Sequence, residues 1–212
     1  MSQAVLEAVN TRDAVRSIAE SRRSVRQFKD EPVPDAEIRE ILRLTGLGPS
    51  MSNVQTWRWA VVRTPEMRAR LAAAMSGNNV ANVQGAPASI VLYSDAPEVL
   101  ANLEEIMHPG LGAEEIARRA EGLRNNLSRM DAEKLQEWAR TQTYIALGQL
   151  VLFARGLGYD SVTMAGFNEE AVKEVLELPE SARVTSVIAL GKRLQDGFSH
   201  HRHPVERISR WY

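Results

Sequence analysis

The chain has 212 residues, of which 44% are hydrophobic and 25% are charged, and this balance excludes a largely disordered protein. At roughly 100 to 200 residues per domain, the length predicts a single domain over residues 1–212. The formal net charge of −1 excludes a general attraction to nucleic acid or to an anionic membrane, so any anion site must be local.

Apolar periodicity predicts the elements of the first half of the chain. They are a helix over 4–20, a helix from Asp35 to Gly46, a strand over 57–63, a short helix over 65–75 and a strand over 87–93. A basic run, Arg22 to Arg26, follows the first helix, and a polar loop over 50–56 separates the second helix from the first strand.

The second half is predominantly helical in its pattern. Residues 97–129 are rich in Glu, Arg, Ala and Leu and are interrupted by His108-Pro109-Gly110, which predicts helices around a mobile turn, outside the core. A long helix capped by Asp131 and ended by Gly156 is apolar on most sides near its end, which indicates a central position. A helix from Asn168, a strand over 183–190 and a tail over 191–212 follow. Three separated strands among helices predict an α+β or α/β sandwich with a modest sheet.

Cysteine is absent, which excludes disulfides and thiolate catalysis, so any redox chemistry would need a cofactor. No stretch reaches the roughly 18 apolar residues of a membrane span, and the first residues lack the pattern of a secretory leader. We therefore expect a cytoplasmic protein with no membrane partner.

The basic run Arg22-Arg23-Ser24-Val25-Arg26 is the first candidate binding segment. Three guanidinium groups and a hydroxyl could hold a phosphate dianion, each charge-assisted hydrogen bond contributing about 1.5 to 3 kcal/mol. The same run is also typical of a solvated helix end, where cations complement the helix dipole.

Two further segments contain candidate binding residues. The loop with Pro49, Ser50, Asn53 and Gln55 offers amide groups that suit a planar heterocycle, although turns are rich in such residues in any case. Gly166 lies in an extended segment, where glycine often marks close approach of the backbone to a ligand or to another backbone.

The tail sequence His200-His201-Arg202-His203-Pro204 does not predict a metal site, because neighbouring histidines in extended chain point to alternate sides. The glycine-rich Rossmann and Walker motifs and the Gly-x-Ser-x-Gly elbow are also absent from the sequence. The chain therefore encodes no dedicated dinucleotide fold.

Taken in order, these residues resemble the nitroreductase family of FMN-dependent NAD(P)H oxidoreductases. The matching segments are Arg22 to Phe28 with Pro32-Val33, Gly48-Pro49-Ser50 with Asn53 to Trp57, Thr143 to Gly148, Gly156-Leu157-Gly158 with Gly166-Phe167, and Arg202-His203-Pro204. The resemblance covers nearly the whole chain. It implies an α+β fold, a three-layer α/β/α sandwich with a small mixed sheet, a long central helix and termini exchanged in a homodimer.

The resemblance also implies one FMN in each of two sites between the subunits, with no catalytic side chain, because the cofactor carries the hydride. The implied cofactor-binding residues are Arg22, Arg23, Ser24, Arg26, Pro49, Ser50, Asn53, Gln55, Asn82, Met164, Ala165, Gly166, His200 and Arg202. Some of them would come from the other subunit, and the backbone of Ala165 and Gly166 would face flavin N5. Residues 97–129 would lie over the active site.

The implied reaction is ping-pong, with NADH or NADPH as donor and a small molecule such as a nitroaromatic or a quinone as acceptor. Three residues depart from the family pattern: Ala165 replaces a common Glu, Thr56 a common Pro, and His200 a common Lys. Two alternatives are an oxygen-using, flavin-fragmenting enzyme, disfavoured because Ser24 replaces that branch's Asp, and a non-catalytic flavin carrier or sensor.

Overall fold

The computed structural model describes residues 11–212. Its helices are α1 (Thr11–Ser21), α2 (Asp35–Gly46), α3 (Pro65–Ala73), α4 (Asn79–Gly85), α5 (Ala96–Ala101), α6 (Ala113–Leu127), α7 (Ala132–Gly156), α8 (Glu169–Val175) and α9 (Val205–Ile208). Its strands are β1 (Trp57–Val62), β2 (Ala88–Ser94), β3 (Asp160–Met164) and β4 (Arg183–Gly191). The first predicted helix is confirmed from residue 11 onward, and its residues 4–10 lie outside the described part of the chain.

The strands form one sheet in the order β1-β2-β4-β3, so β1 and β3 are its two edges. Each neighbouring pair is antiparallel, with Trp57 opposite Ser94 and Asp160 opposite Gly191. The mixed sheet implied by the resemblance is therefore corrected to an antiparallel one. Among residues 11–212, parallel pairing is confined to an isolated bridge between Ser24 and Ser161, where the basic run meets the edge of β3.

The sequence predicted three of these strands, and three elements were missed: β3, α4 and the four-residue helix α9 in the tail. Strand β3 is the short segment between Gly158 and Gly166, and its five residues are too few for a clear alternating pattern. Helix α4 has only seven residues and begins shortly after Gly77. A glycine at that position predicts the end of the preceding helix rather than the start of another.

Helices cover both faces of the sheet, which confirms the α/β/α sandwich. Alternation along β4 sends Ile188 and Leu190 into a core shared with α2 and α7. Val187 and Ala189 point into the opposite core, which is shared with α3, α4 and α8. The edge strand β3 therefore lies between two packed layers, which fix its position and that of the basic run paired with it.

Helix α7 is central, but only one of its faces is buried within the chain. The side chain of Asp131 accepts a hydrogen bond from the backbone N–H of Lys134 at 2.8 Å, which confirms the predicted N-cap. Its buried stripe consists of Leu135, Ala139, Thr143, Ala146, Leu150 and Ala154. On the other side Tyr144, Ile145 and Leu152 are 50%, 39% and 38% exposed. Among the described helices, none is long and apolar enough to cross a membrane.

Residues 97–129 form helices around a turn, as predicted. Leu103 and Ala120 pack with Val54 in one small core, and Leu127 packs with Leu135 in another. Helix α6 is highly charged outside these contacts. Hydrogen bonds from Arg118 and Arg119 lower the pKa of Glu115 to about 2, so this carboxylate is ionised at neutral pH.

Candidate functional site

The basic run is fixed between β3 and the C-terminal tail. The backbone N–H of Val25 donates to the carbonyl of Ser161 on β3 at 3.1 Å. On its other side, the N–H of Leu194 donates to the carbonyl of Gln27 at 2.9 Å. Backbone hydrogen bonds therefore fix the run from Arg22 to Arg26 in an extended conformation between β3 and the tail.

The tail returns to this run at Gly197. A Cβ placed on Gly197 would lie 2.5 Å from the carbonyl oxygen of Ser24 and 3.0 Å from Cβ of Arg23, so this close approach needs glycine. Three residues further on, Nε2 of His200 lies 3.3 Å from Nη2 of Arg22 and 3.2 Å from Nη1 of Arg23. Guanidinium groups only donate, so Nε2 of His200 is the acceptor here.

Three guanidinium groups gather at this edge of the sheet, and we call Arg22, Arg23 and Arg202 the cationic cluster. The pKa of Arg22 is lowered, first by its partial burial and then by the positive charges of Arg202 and Arg23. Within residues 11–212, no carboxylate lies within 4.0 Å of any of the three guanidinium groups. Converging cations without a protein anion favour an anionic ligand such as a phosphate.

Arg26 is not part of this cluster. Its Nη1 donates to the carbonyl of Ser24 at 3.3 Å, and its side chain lines a shallow cavity with residues 195–198 of the tail. The half-buried Ser24 lies between the two sets of residues.

The opposite end of β3 leads from a buried residue to an exposed one. Met164 is buried, with its sulfur accepting from Nδ2 of the buried Asn82 at 3.7 Å, while Ala165 is exposed. The carbonyl of Gly166 accepts from Nδ2 of Asn79 at 3.1 Å, and a Cβ on Gly166 would lie 2.7 Å from that nitrogen. Only glycine allows this approach without displacing Asn79.

Sequence reasoning missed Asn79. The run Ser76-Gly77-Asn78-Asn79 carried a usable signal, because Gly and Asn together often precede a helix start. Recognising α4 there would have placed Asn79 and Asn82 on neighbouring turns of one helix.

The loop that precedes β1 contains three strained residues. Ser52, Asn53 and Gln55 have φ angles of 49°, 60° and 44°, and each such non-glycine conformation costs on the order of 1 to 3 kcal/mol. Hydrogen bonds stabilise it: Oγ of Ser50 accepts from the N–H of Gln55 at 3.0 Å, and Nδ2 of Asn53 donates to the carbonyl of Ile106 at 2.8 Å. Strained backbone held in this way clusters at functional sites.

The long helix also supports this loop. The side chain of Gln142 accepts from the backbone N–H of Met51 at 3.2 Å, and a Cβ on Gly48 would overlap the side chain of Gln149. The two glutamines are two turns apart on α7, so the loop with Pro49 lies along one face of that helix.

The fold of the chain does not bring all the predicted residues together. The cationic cluster, Met164 and Gly166 lie along β3, whereas the loop with Ser50 and Asn53 leads into β1 at the opposite edge. Three strand spacings of about 4.8 Å separate these edges by roughly 14 Å. The loop residues Pro49, Ser50, Asn53 and Gln55 are therefore separated from the others within the chain.

The structure is that of an α+β protein with two polar regions. The cationic cluster lies at one sheet edge, and the strained loop of residues 50–55, which we call the amide loop, lies at the other. The sequence model of the nitroreductase family matches residues 19–192. The chain therefore belongs to the nitroreductase family, as its sequence pattern indicated, and it is an oxidoreductase of that family.

Individual relatives match over most of their length. The chain is 38% identical over 196 residues to a protein named NADH dehydrogenase from Thermus thermophilus, covering 92% of this chain and 95% of that protein. It is 28% identical over 204 residues to an oxygen-insensitive NADPH nitroreductase from Helicobacter acinonychis, covering 92% and 95%.

Solved structures share the fold. A nitroreductase family protein from Streptococcus pneumoniae superposes with a TM-score of 0.85 at 24% identity, covering 93% of this chain and 99% of that one. A protein from Exiguobacterium sibiricum, assigned as a nitroreductase and crystallised in complex with FMN, gives a TM-score of 0.85 at 25% identity, covering 93% and 97%.

Proposed function

We propose that this protein is an FMN-dependent NAD(P)H oxidoreductase that reduces a small-molecule acceptor such as a nitroaromatic or a quinone. The observation that supports it most is the cationic cluster, where Arg22, Arg23 and Arg202 meet without a carboxylate in the described chain. A phosphate monoester supplies the missing negative charge and the acceptor oxygens for these donors.

The residues along β3 fit the layout of FMN, which has a phosphate and a ring system joined by an extended chain. Val25 of the basic run is hydrogen-bonded to Ser161, and Ala165 lies four residues further along the chain. At about 3.3 Å per residue, this places the start of the basic run's contact with β3 and the exposed Ala165 roughly 13 Å apart. His200 and Ser24 would assist at the phosphate, and Asn82 and Gly166 at the ring.

Bound FMN would supply the redox chemistry, accepting a hydride from NADH or NADPH and donating it to the acceptor in a second half-reaction. The protein's part is to bind and orient. Ala165 contributes no carboxylate beside the ring, so no acidic side chain at that position competes with an incoming acceptor. The lack of a dinucleotide motif agrees with a nicotinamide that binds only transiently.

The separation of the two polar regions supports a homodimer in which the partner's amide loop completes each site. Apolar surface is available for such an interface. Val15 and Ile18 of α1 and Leu152 of α7 line an apolar groove, and Phe198 and Trp211 of the tail are 90% and 86% exposed. Monomeric proteins rarely leave large apolar surfaces of this kind uncovered.

Rapid mixing under anaerobic conditions tests the proposed reaction. Purified protein, or protein supplied with FMN, should show flavin absorbance that bleaches when NADH or NADPH is added and returns when a quinone follows. Protein that shows no flavin absorbance and gains no thermal stability from excess FMN would refute the proposal. Flavin that neither nucleotide bleaches would instead indicate a carrier.

Replacing Leu152 with arginine tests the shared site. The added charge in the apolar groove should produce a monomer by analytical ultracentrifugation, and this monomer should lose FMN because each site then lacks the partner's loop. Val61→Arg is the matched control, because Val61 is similarly exposed, at 40%, on the edge strand β1. A monomeric Leu152→Arg protein with unchanged FMN affinity would contradict a composite site.

A further inference from the structure

A buried carboxylate precedes Ser161, the residue of β3 to which the basic run is hydrogen-bonded. Asp160 is the first residue of β3, and its side chain is 2% exposed. Arg193 binds it with two parallel hydrogen bonds, Nε to Oδ2 at 2.7 Å and Nη2 to Oδ1 at 2.6 Å. Nη1 of Arg155 lies 3.5 Å from each oxygen. Burying a carboxylate is costly unless it is paired in this way, so the arrangement is built into the fold.

Both of these arginines also donate hydrogen bonds to Ser21, the last residue of α1. Nη2 of Arg193 donates to the carbonyl of Ser21 at 3.2 Å, and Nε of Arg155 donates to its hydroxyl at 2.9 Å. Ser21 immediately precedes Arg22. The carboxylate of Asp160 therefore fixes, through two guanidinium groups, the point at which the chain leaves α1 and enters the basic run.

The same group also fixes the tail. Arg193 forms an ion pair with Asp196, the residue before Gly197, and Gly197 is the point where the tail touches Ser24. The hydrogen bonds that Arg193 donates, first to Asp160 and then to Asp196, raise its pKa above the ordinary arginine value. Four segments of the chain, the end of α1, the end of α7, the start of β3 and the tail, are thus joined at Asp160.

Charge balance separates the ion pairs around Asp160 from the cationic cluster. Two carboxylates, the buried Asp160 and the exposed Asp196, match two guanidinium groups, Arg155 and Arg193. Neither carboxylate lies within ion-pair distance of Arg22. The ion pairs around Asp160 can therefore hold the backbone in place without neutralising the arginines of the cationic cluster, which a ligand would use.

We propose that Asp160 is a positioning residue for the phosphate of FMN, acting through Arg193 and Arg155 on Ser21 and the tail. It would touch no ligand atom itself. This inference rests on the proposed function, because it assumes that the cationic cluster binds the FMN phosphate. It predicts that Asp160 affects recognition of the phosphate and not of the flavin ring.

Comparing FMN with riboflavin, which lacks the phosphate, isolates that effect. Fluorescence titration of wild type and Asp160→Asn gives the dissociation constants of both ligands. We call the dissociation constant of riboflavin divided by that of FMN the phosphate preference of the protein. We expect the preference to fall about tenfold in Asp160→Asn, as when an outer partner of a binding residue is removed, with riboflavin affinity nearly unchanged. Leu127→Ala destabilises a small core that contains neither the residues linked to Asp160 nor their chain neighbours, so it should keep the wild-type preference.

Arg193→Lys provides a second test if Asp160→Asn fails to fold. Lysine keeps the positive charge beside Asp160 but cannot reach Asp160, Ser21 and Asp196 together, so the preference should again fall. If folded variants kept the wild-type preference, the positioning role of Asp160 would be refuted, while the proposed phosphate site would stand. Wild-type protein that binds FMN no better than riboflavin would instead refute the phosphate site on which the proposed function depends.

Discussion

Replacing Arg22 with alanine is expected to release FMN from a protein that stays folded. Arg22 is partly buried beside two other guanidinium groups, and that environment lowers its pKa. Its side chain forms no ion pair in the described chain that would be lost, and removing it relieves repulsion with Arg202 and Arg23. The free energy of unfolding without ligand should therefore remain near the wild-type value.

The loss of affinity follows from the bonds that Arg22 would make to phosphate. One or two charge-assisted hydrogen bonds at about 1.5 to 3 kcal/mol each correspond to a loss of FMN affinity between about tenfold and about ten-thousandfold. Equilibrium dialysis with FMN measures it. Increasing salt should weaken FMN binding by wild type more than by Arg22→Ala, because the variant has lost one of the charges.

Arg16→Ala is the matched control for this change. Arg16 also lies in the N-terminal part of the described chain, but its side chain is 54% exposed and is paired with Asp13 at 3.7 Å on α1. Exposed pairs of this kind contribute little, so both stability and FMN affinity should be unchanged. If Arg22→Ala retained FMN as wild type does, the phosphate site would have to lie elsewhere.

Long elements with regular apolar spacing were predictable from the sequence alone. Helix α7 was predicted from its cap at Asp131 to Gly156, and strand β4 was predicted almost to its last residue, because both have many residues facing a core. Strand β3 and helix α4 were not, since five and seven residues give no resolvable period.

The candidate site was predictable only in part, for a different reason. The run from Arg22 to Arg26 is visible as a cluster in sequence, but its meeting with Arg202 was implied by family resemblance and not by any local pattern. Asp160 and Arg193 are 33 residues apart, and Asp160 after Gly158 reads as an ordinary turn residue. The strain at Ser52 arises from tertiary contacts, which local propensity does not encode.

Replacing Gly197 with alanine should weaken FMN binding without removing any charged or polar side chain. The new Cβ would lie 2.5 Å from the backbone oxygen of Ser24, and backbone cannot rotate away as a side-chain end can. The tail must therefore move from the basic run, carrying His200 and Arg202 with it. We expect FMN affinity to fall about tenfold or more, since one guanidinium is withdrawn from the phosphate, as measured by the same dialysis.

Gly122→Ala separates this effect from the general consequence of adding a methyl group. A Cβ on Gly122 meets nothing within 4 Å, and alanine in helix α6 should add up to about 1 kcal/mol of stability with no change in FMN affinity. Combining Gly197→Ala with Arg22→Ala gives the sharper result. If the tail and Arg22 act on one phosphate, the two losses of binding free energy should not be additive, because each variant already disrupts the same group of contacts. Full additivity would mean that the tail and Arg22 contribute to FMN binding independently, and the single phosphate site would be wrong.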